Sequence, residues 1–172
     1  MEMCEEVPLK DIRVKDFIKY AGISKQTFYN YFRDKSEIMN YVFEIAAEKI
    51  VSNMSASVDG LYYGAEKMAQ ECLAHRKFYV QLAKYETQNS FLQCFIHNVE
   101  KVYRSTLRKN MEVEQLEDSL EKIIHLYSTG ASVIFTEWIR GGMKEKPEEI
   151  AEVIVSCIPK AMLEGLKDKG EK

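Results

Sequence analysis

Eight residues, Leu116, Leu120, Ile123, Ile124, Tyr127, Ala131, Ile134 and Trp138, recur at the spacing of one helix face. The spacing predicts a single long helix over 116–140, stopped by Gly141-Gly142. A helix of that length needs neighbours to cover its apolar stripe. Ile38, Val42, Ile45 and Ile50 mark one neighbour, with Ser36, Glu37 and Lys35 as its N-cap region. SASVDG then breaks the pattern, with Asp59-Gly60 as its turn. Residues 61–75 and 77–85 read as two further helices, followed by the polar break ETQNS. Phe91, Phe95, Val99, Val102 and Leu107 mark a longer one that ends at Asn110. In KEKPEEIAEVIVSCIPKAMLEGL, Pro147 suits a first turn and Pro159 predicts a kink or break. No segment alternates with the period of a strand. The expectation is an all-α fold of roughly eight helices.

The 172 residues allow one or two domains with a real core. A net charge of -3 excludes a chain that is basic all over, but not a local basic face. The opening MEMCEEVPLK is acidic and has no apolar leader segment, and runs such as ASVIF fall far short of the roughly 20 residues a bilayer requires. No membrane partner and a cytoplasmic location are expected. Cys4, Cys72, Cys94 and Cys157 are widely spaced without a CxxC, so buried, reduced thiols are expected.

The N-terminal stretch carries the most specific signal. VKDFIKY reads as a short helix, Ala21-Gly22-Ile23 as a tight turn, and Ser24 as the cap of a second helix through Phe32. Two short helices around a glycine turn form a helix-turn-helix. Phe28 and Phe32, four apart, share the inward face. Lys25, Gln26, Thr27, Tyr29, Asn30 and Arg33 are left for the outward one. Amides at Gln26 and Asn30 suit adenine edges in a major groove, and Lys, Thr and Tyr suit phosphates. Between Arg13 and Lys35, six cations against two anions leave a local charge of +4.

The stretch DIRVKDFIKYAGISKQTFYNYFRDKSEIM resembles the DNA-binding head of the TetR/AcrR family of bacterial transcriptional regulators. The matching residues are Val14 and Asp16, the turn Ala21 to Ser24, then Thr27, Phe28, Tyr29, Tyr31 and Phe32, then Lys35, Glu37 and Ile38. YSTGASVIFTEWIRGGMKEKPEEIAEVI is similar to the last two helices of the family, particularly its dihydroxyacetone-kinase-operon-regulator-like branch. The resemblance implies a helix-turn-helix head over 1–47 and an effector-binding, dimerising helical domain over 48–172. It implies that Thr27, Tyr29, Tyr31 and Lys35 contact phosphates while Lys25, Gln26 and Asn30 face bases. It also implies a homodimer paired through the last two helices; Ile134 and Trp138 read as core or dimer seam, with Val153, Ile154 and Cys157 as their partners among the interface candidates. Tyr85, Phe91, Phe95, Tyr103 and Tyr127 are candidates to line an effector pocket.

The family has a full helix ahead of Val14, where this sequence supplies Met1 to Val7. Phe17, Phe28 and Phe32 are therefore expected to be partly exposed, and Arg13 replaces the usual Thr cap, a loss of roughly 1 kcal/mol. The expected partners are a double-stranded DNA operator and a small-molecule effector, with repression the implied mode. The alternative is a helical protein-interaction or co-regulator subunit that has lost DNA binding. Cys72 with His75 and Cys94 with His97 have the spacing of metal-ligand pairs, but no flanking motif supports a site, and no metal or cofactor is expected. HExxH, GxSxG and P-loop motifs are lacking, so no catalysis is expected.

Overall fold

The computed structural model describes residues 1–85 and 91–166; the expected ETQNS break lies outside them. These residues form ten α-helices and no strand: α1 (Met3–Glu6), α2 (Val14–Ala21), α3 (Lys25–Tyr31), α4 (Lys35–Val51), α5 (Val58–Ala74), α6 (Arg76–Lys84), α7 (Phe91–Met111), α8 (Asp118–Arg140), α9 (Pro147–Ser156) and α10 (Lys160–Leu163).

Local chemistry explains most boundaries. Gly22 takes φ 63° and ends α2, while the Ile23 amide donates to the Ile18 carbonyl at 3.2 Å. Ser24 caps α3, its Oγ accepting from the Thr27 amide at 2.9 Å. Arg13 makes no side-chain cap, but its amide donates to the Asp16 carboxylate at 2.8 Å.

Two expected boundaries move. Asp34, not Ser36, caps α4; its Oδ1 accepts from the Glu37 amide at 3.0 Å, and Ser36 is buried inside the first turn. Asp59-Gly60 is not a turn but the first turn of α5, because Ser57 Oγ accepts from the Gly60 amide. Pro159, expected to kink or break the last helix, breaks it: with no N–H to continue α9, it becomes the N-cap of α10.

Two apolar clusters fill the body. The first joins Met39, Phe43 and Ala47 of α4 to Phe78, Tyr79, Leu82, Phe91, Phe95, Phe135, Trp138 and Ile139. Its aromatic centre is tight, with Phe43 5.2 Å from both Phe91 and Phe95, and Phe95 5.0 Å from Phe135. The second joins Leu61, Tyr103, Leu107, Leu120, Ile124, Tyr127 and Met162. The expected division at 47/48 falls inside α4, which is continuous. Ion pairs stitch α7 to α8: the buried Glu100 carboxylate accepts from Arg104 at 2.8 Å and His125 at 2.5 Å, and Arg104 Nε reaches Glu121 at 2.6 Å.

The N-terminal segment is built into this core. Cys4, Leu9 and Ile12 are buried in the first cluster, with Met3 and Phe17 packed against it. Phe28 is 1% exposed, a correction to the expected partial exposure; Phe17 and Phe32 are half-buried. Gln81 of α6 clamps the segment, its Oε1 accepting from the Leu9 amide at 2.5 Å and its Nε2 donating to the Cys4 carbonyl at 3.1 Å. Gln81→Ala leaves the buried Leu9 amide unpaired and is expected to cost about 1–3 kcal/mol. Hydrogen exchange reads this as lost protection in residues 1–12 with α7 and α8 unchanged.

Candidate nucleic-acid interface and ligand cavity

The α2–α3 pair presents the polar face that its spacing predicts. Phe28 faces inward, so the side chains around it face out. Lys25, Gln26 and Asn30 are exposed, Tyr29 is 47% and Tyr31 75% exposed, and Thr27 is half-buried. Gln26 Nε2 donates to Asn30 Oδ1 at 3.0 Å, which orders the two amides as a unit and leaves Gln26 Oε1 and Asn30 Nδ2 outside the shared bond. The Lys25 ammonium lies 5.9 Å from the Tyr29 ring centre, and Ser24 and Thr27 share a hydroxyl contact of 2.9 Å.

Lys35 has a different environment from the expected phosphate contact. Its ammonium donates to the carbonyls of Leu9 at 2.7 Å and Ile12 at 2.9 Å, and lies 4.6 Å from the Tyr85 ring centre. It ties the start of α4 to the N-terminal segment and to the end of α6. Its hydrogen bonds run to the protein's own main chain.

A cavity of about 360 Å³ opens among α4, α5, α7, α8 and α9. Phe43, Ala47, Ile50 and Val51 come from α4, and Leu61, Gly64, Ala65 and Met68 from α5. Phe95, Asn98, Val99, Val102 and Tyr103 line it from α7, with Ala131, Phe135 and Ile154 opposite. Met54 from the α4–α5 connection closes one side: a Cβ on Gly64 would stand 2.4 Å from its sulfur.

Of the expected pocket aromatics, Phe95 and Tyr103 do line this cavity. Tyr85, Phe91 and Tyr127 do not. Tyr85 stacks under Lys35, Phe91 fills the aromatic centre, and the Tyr127 hydroxyl donates to the Ile154 carbonyl at 2.7 Å. Burial pushes the Tyr103 phenol well above its ordinary value, with Tyr127 adding to the rise; burial likewise pushes Tyr127 up to about 12. Both therefore remain hydrogen-bond donors throughout the ordinary pH range. The lining aliphatics went unrecognised because a void has no sequence spacing; it exists only where five helices meet.

The interface candidates also divide. Trp138 is a core residue, 6% exposed, with its indole N–H donating to the Glu145 carbonyl at 3.1 Å. Ile154 is half-buried against the cavity. Ile134 and Val153 are 46% and 52% exposed, and Cys157 is exposed. On α8, Leu126 (75% exposed), Gly130 and Ile134 are spaced four apart on one open face. Leu126 was missed because exposure cannot be read from an isolated leucine. His75 pairs with Glu71 at 3.7 Å while Cys72 is buried, and His97 is exposed; no group of three or more metal-ligating side chains forms among the described residues. No described helix is long and apolar enough to cross a membrane.

The chain thus joins a helix-turn-helix to a helical body that holds a cavity. A family model described as "Transcriptional regulator C-terminal region", of the TetR group, matches residues 59–160, from the start of α5 into α10. The chain belongs to the TetR family of transcriptional regulators. The solved structure of "Dihydroxyacetone kinase operon activator DhaS" superposes with a TM-score of 0.64 at 19% identity, covering 97% of this chain and 93% of that one, a likeness of fold. No curated protein matches the sequence.

Proposed function

We propose that this chain is a dimeric DNA-binding regulator whose operator affinity is set by a small molecule held in the cavity. The observation that carries the reading is the outward face of α3. Gln26 and Asn30 are open to solvent as a hydrogen-bonded amide pair, flanked by Lys25, Tyr29 and Tyr31. In this reading the amides meet base edges and Lys25, Thr27, Tyr29 and Tyr31 hold phosphates. Lys35 acts indirectly, by fixing the head against α6.

Two heads require a two-fold axis. The open face of Leu126, Gly130 and Ile134, with Val153 and Cys157 on α9, supports pairing through these helices. Because α4 both lines the cavity and starts beside α3, an effector that prefers one pose of α4 shifts head spacing and so affinity. The direction of control is taken as repression; the structural relative's name makes activation the other outcome of a reporter assay.

Selection from fragmented genomic DNA with the purified protein tests the reading. Tyr29→Ala is expected to weaken all selected sites alike. Asn30→Ala is expected to relax preference at one base pair by about 1–3 kcal/mol. Equal loss on every sequence from both variants rejects base reading by Asn30. Affinity should also fall steeply with salt. Absence of duplex binding at any salt favours the protein-interaction subunit instead.

A further inference from the structure

We infer that the cavity takes an uncharged, largely hydrocarbon molecule that enters lengthwise and leaves at most one polar end at the mouth. The inference rests on the cavity being the effector site and names the chemistry of its ligand.

The lining residues separate by exposure. Phe43, Leu61, Met68, Phe95 and Phe135 are buried and form the interior. Glu48, Val51, Ser52, Lys101 and Ser105 are exposed and therefore mark the mouth, at the end of α4 and the middle of α7. No charged side chain lines the interior. Apart from the Lys101 ammonium at the mouth, the side-chain donors of the lining are engaged within the protein. Asn98 Nδ2 donates to the Cys94 carbonyl at 2.9 Å, and Ser105 Oγ to the Val102 carbonyl at 2.9 Å. Ser52 Oγ donates to the Lys49 carbonyl at 2.9 Å, and the Tyr103 hydroxyl to Tyr127 at 3.3 Å. The described buried hydroxyls that lack a partner, on Tyr79, Ser128, Thr129, Ser132 and Thr136, all lie outside the lining.

A ligand with polar groups along its length would lose water there and find few partners, chiefly acceptor oxygens such as Asn98 Oδ1. A charged end meets both signs at the mouth, Glu48 and Lys101, and gains little from either. An apolar body gains free energy with every buried methylene. The volume of about 360 Å³ lies in the range that holds small organic ligands, roughly 300–1,000 Å³.

Titration calorimetry on the full chain tests this with hexan-1-ol, octan-1-ol, decan-1-ol, decanoate and glycerol. The alcohols are expected to bind, tightening about fourfold per added methylene. Decanoate and glycerol are expected to bind more weakly than decan-1-ol. Ala131→Phe, which projects a ring into the cavity from α8, should weaken decan-1-ol about tenfold or more. Should that variant not fold, Ala65→Leu from α5 serves the same purpose. Binding of decanoate or glycerol in preference to the alcohols overturns the inference. So does no binding of any probe, or decan-1-ol binding that neither folded variant alters. Duplex affinity with and without decan-1-ol separates the two readings. Alcohol binding that leaves DNA affinity unchanged removes effector control and keeps the ligand class; selective glycerol binding that changes DNA affinity does the reverse.

Discussion

Phe43→Ala is expected to lower the unfolding free energy by about 3–5 kcal/mol. The side chain is 1% exposed and sits 5.2 Å from each of two other phenylalanines, Phe91 and Phe95. Truncation removes its buried ring and enlarges a void that already exists beside it. The surrounding helices cannot collapse to fill the space, because the same cluster joins α4 to the N-terminal segment, α6, α7 and α8. Urea denaturation at fixed protein concentration reads the loss, and the thermal midpoint should fall by roughly 10 °C. Phe43→Leu should recover more than half of it. A loss under about 1 kcal/mol for Phe43→Ala would show that this cluster does not hold the body together.

Gly60→Ala is the second large effect, about 2–3 kcal/mol, and it arises from crowding. A Cβ at this position would stand 1.9 Å from the Ser55 carbonyl oxygen and 2.6 Å from Ser55 Oγ. A backbone oxygen has no rotamer to escape into, so residues 52–57 or the first turn of α5 must move. Either shift also disturbs Leu61 and Gly64, which line the cavity. Gly64→Ala is the comparison: the nearest atoms to its Cβ belong to the Met54 side chain, 2.4 Å away at the sulfur, a flexible group that can shift where a backbone oxygen cannot. Its cost should be at most about 1 kcal/mol. Equal losses from the two variants, by the same denaturation assay, contradict the distinction between rigid and mobile obstacles.

The helix-turn-helix was legible because its determinants lie within a few residues of one another. Gly22, Ser24 and Phe28 each act on their own turn, and each takes the conformation, cap or burial that its type implies. The same locality misled at α4 and α5. Ser36 and Asp34 are both acceptable caps, and the competition is settled by Glu37, whose carboxylate accepts from the Arg33 amide at 2.5 Å while its own amide donates to Asp34. Asp59-Gly60 has turn composition, yet Ser57 starts the helix ahead of it. Trp138, Lys35 and the cavity illustrate a harder limit. An amphipathic stripe shows that Trp138 faces something, but not whether that is the core or a second subunit. A lysine at the start of a helix gives no sign that two other segments of chain converge on its ammonium. The cavity depends on aliphatic side chains whose spacing matches that of ordinary packing.

The unbroken course of α4 has a mechanical consequence. At 1.5 Å per residue its 17 residues make a rod of roughly 25 Å, with Phe43 to Val51 against the cavity and Lys35 beside the head. Pivoted at the cavity end, a tilt of about 10° swings the far end through roughly 4 Å, near the 3.4 Å advance of one base-pair step. Under the proposed effector control, leverage of this kind would turn a small tilt of α4 into a misfit of register on the double helix.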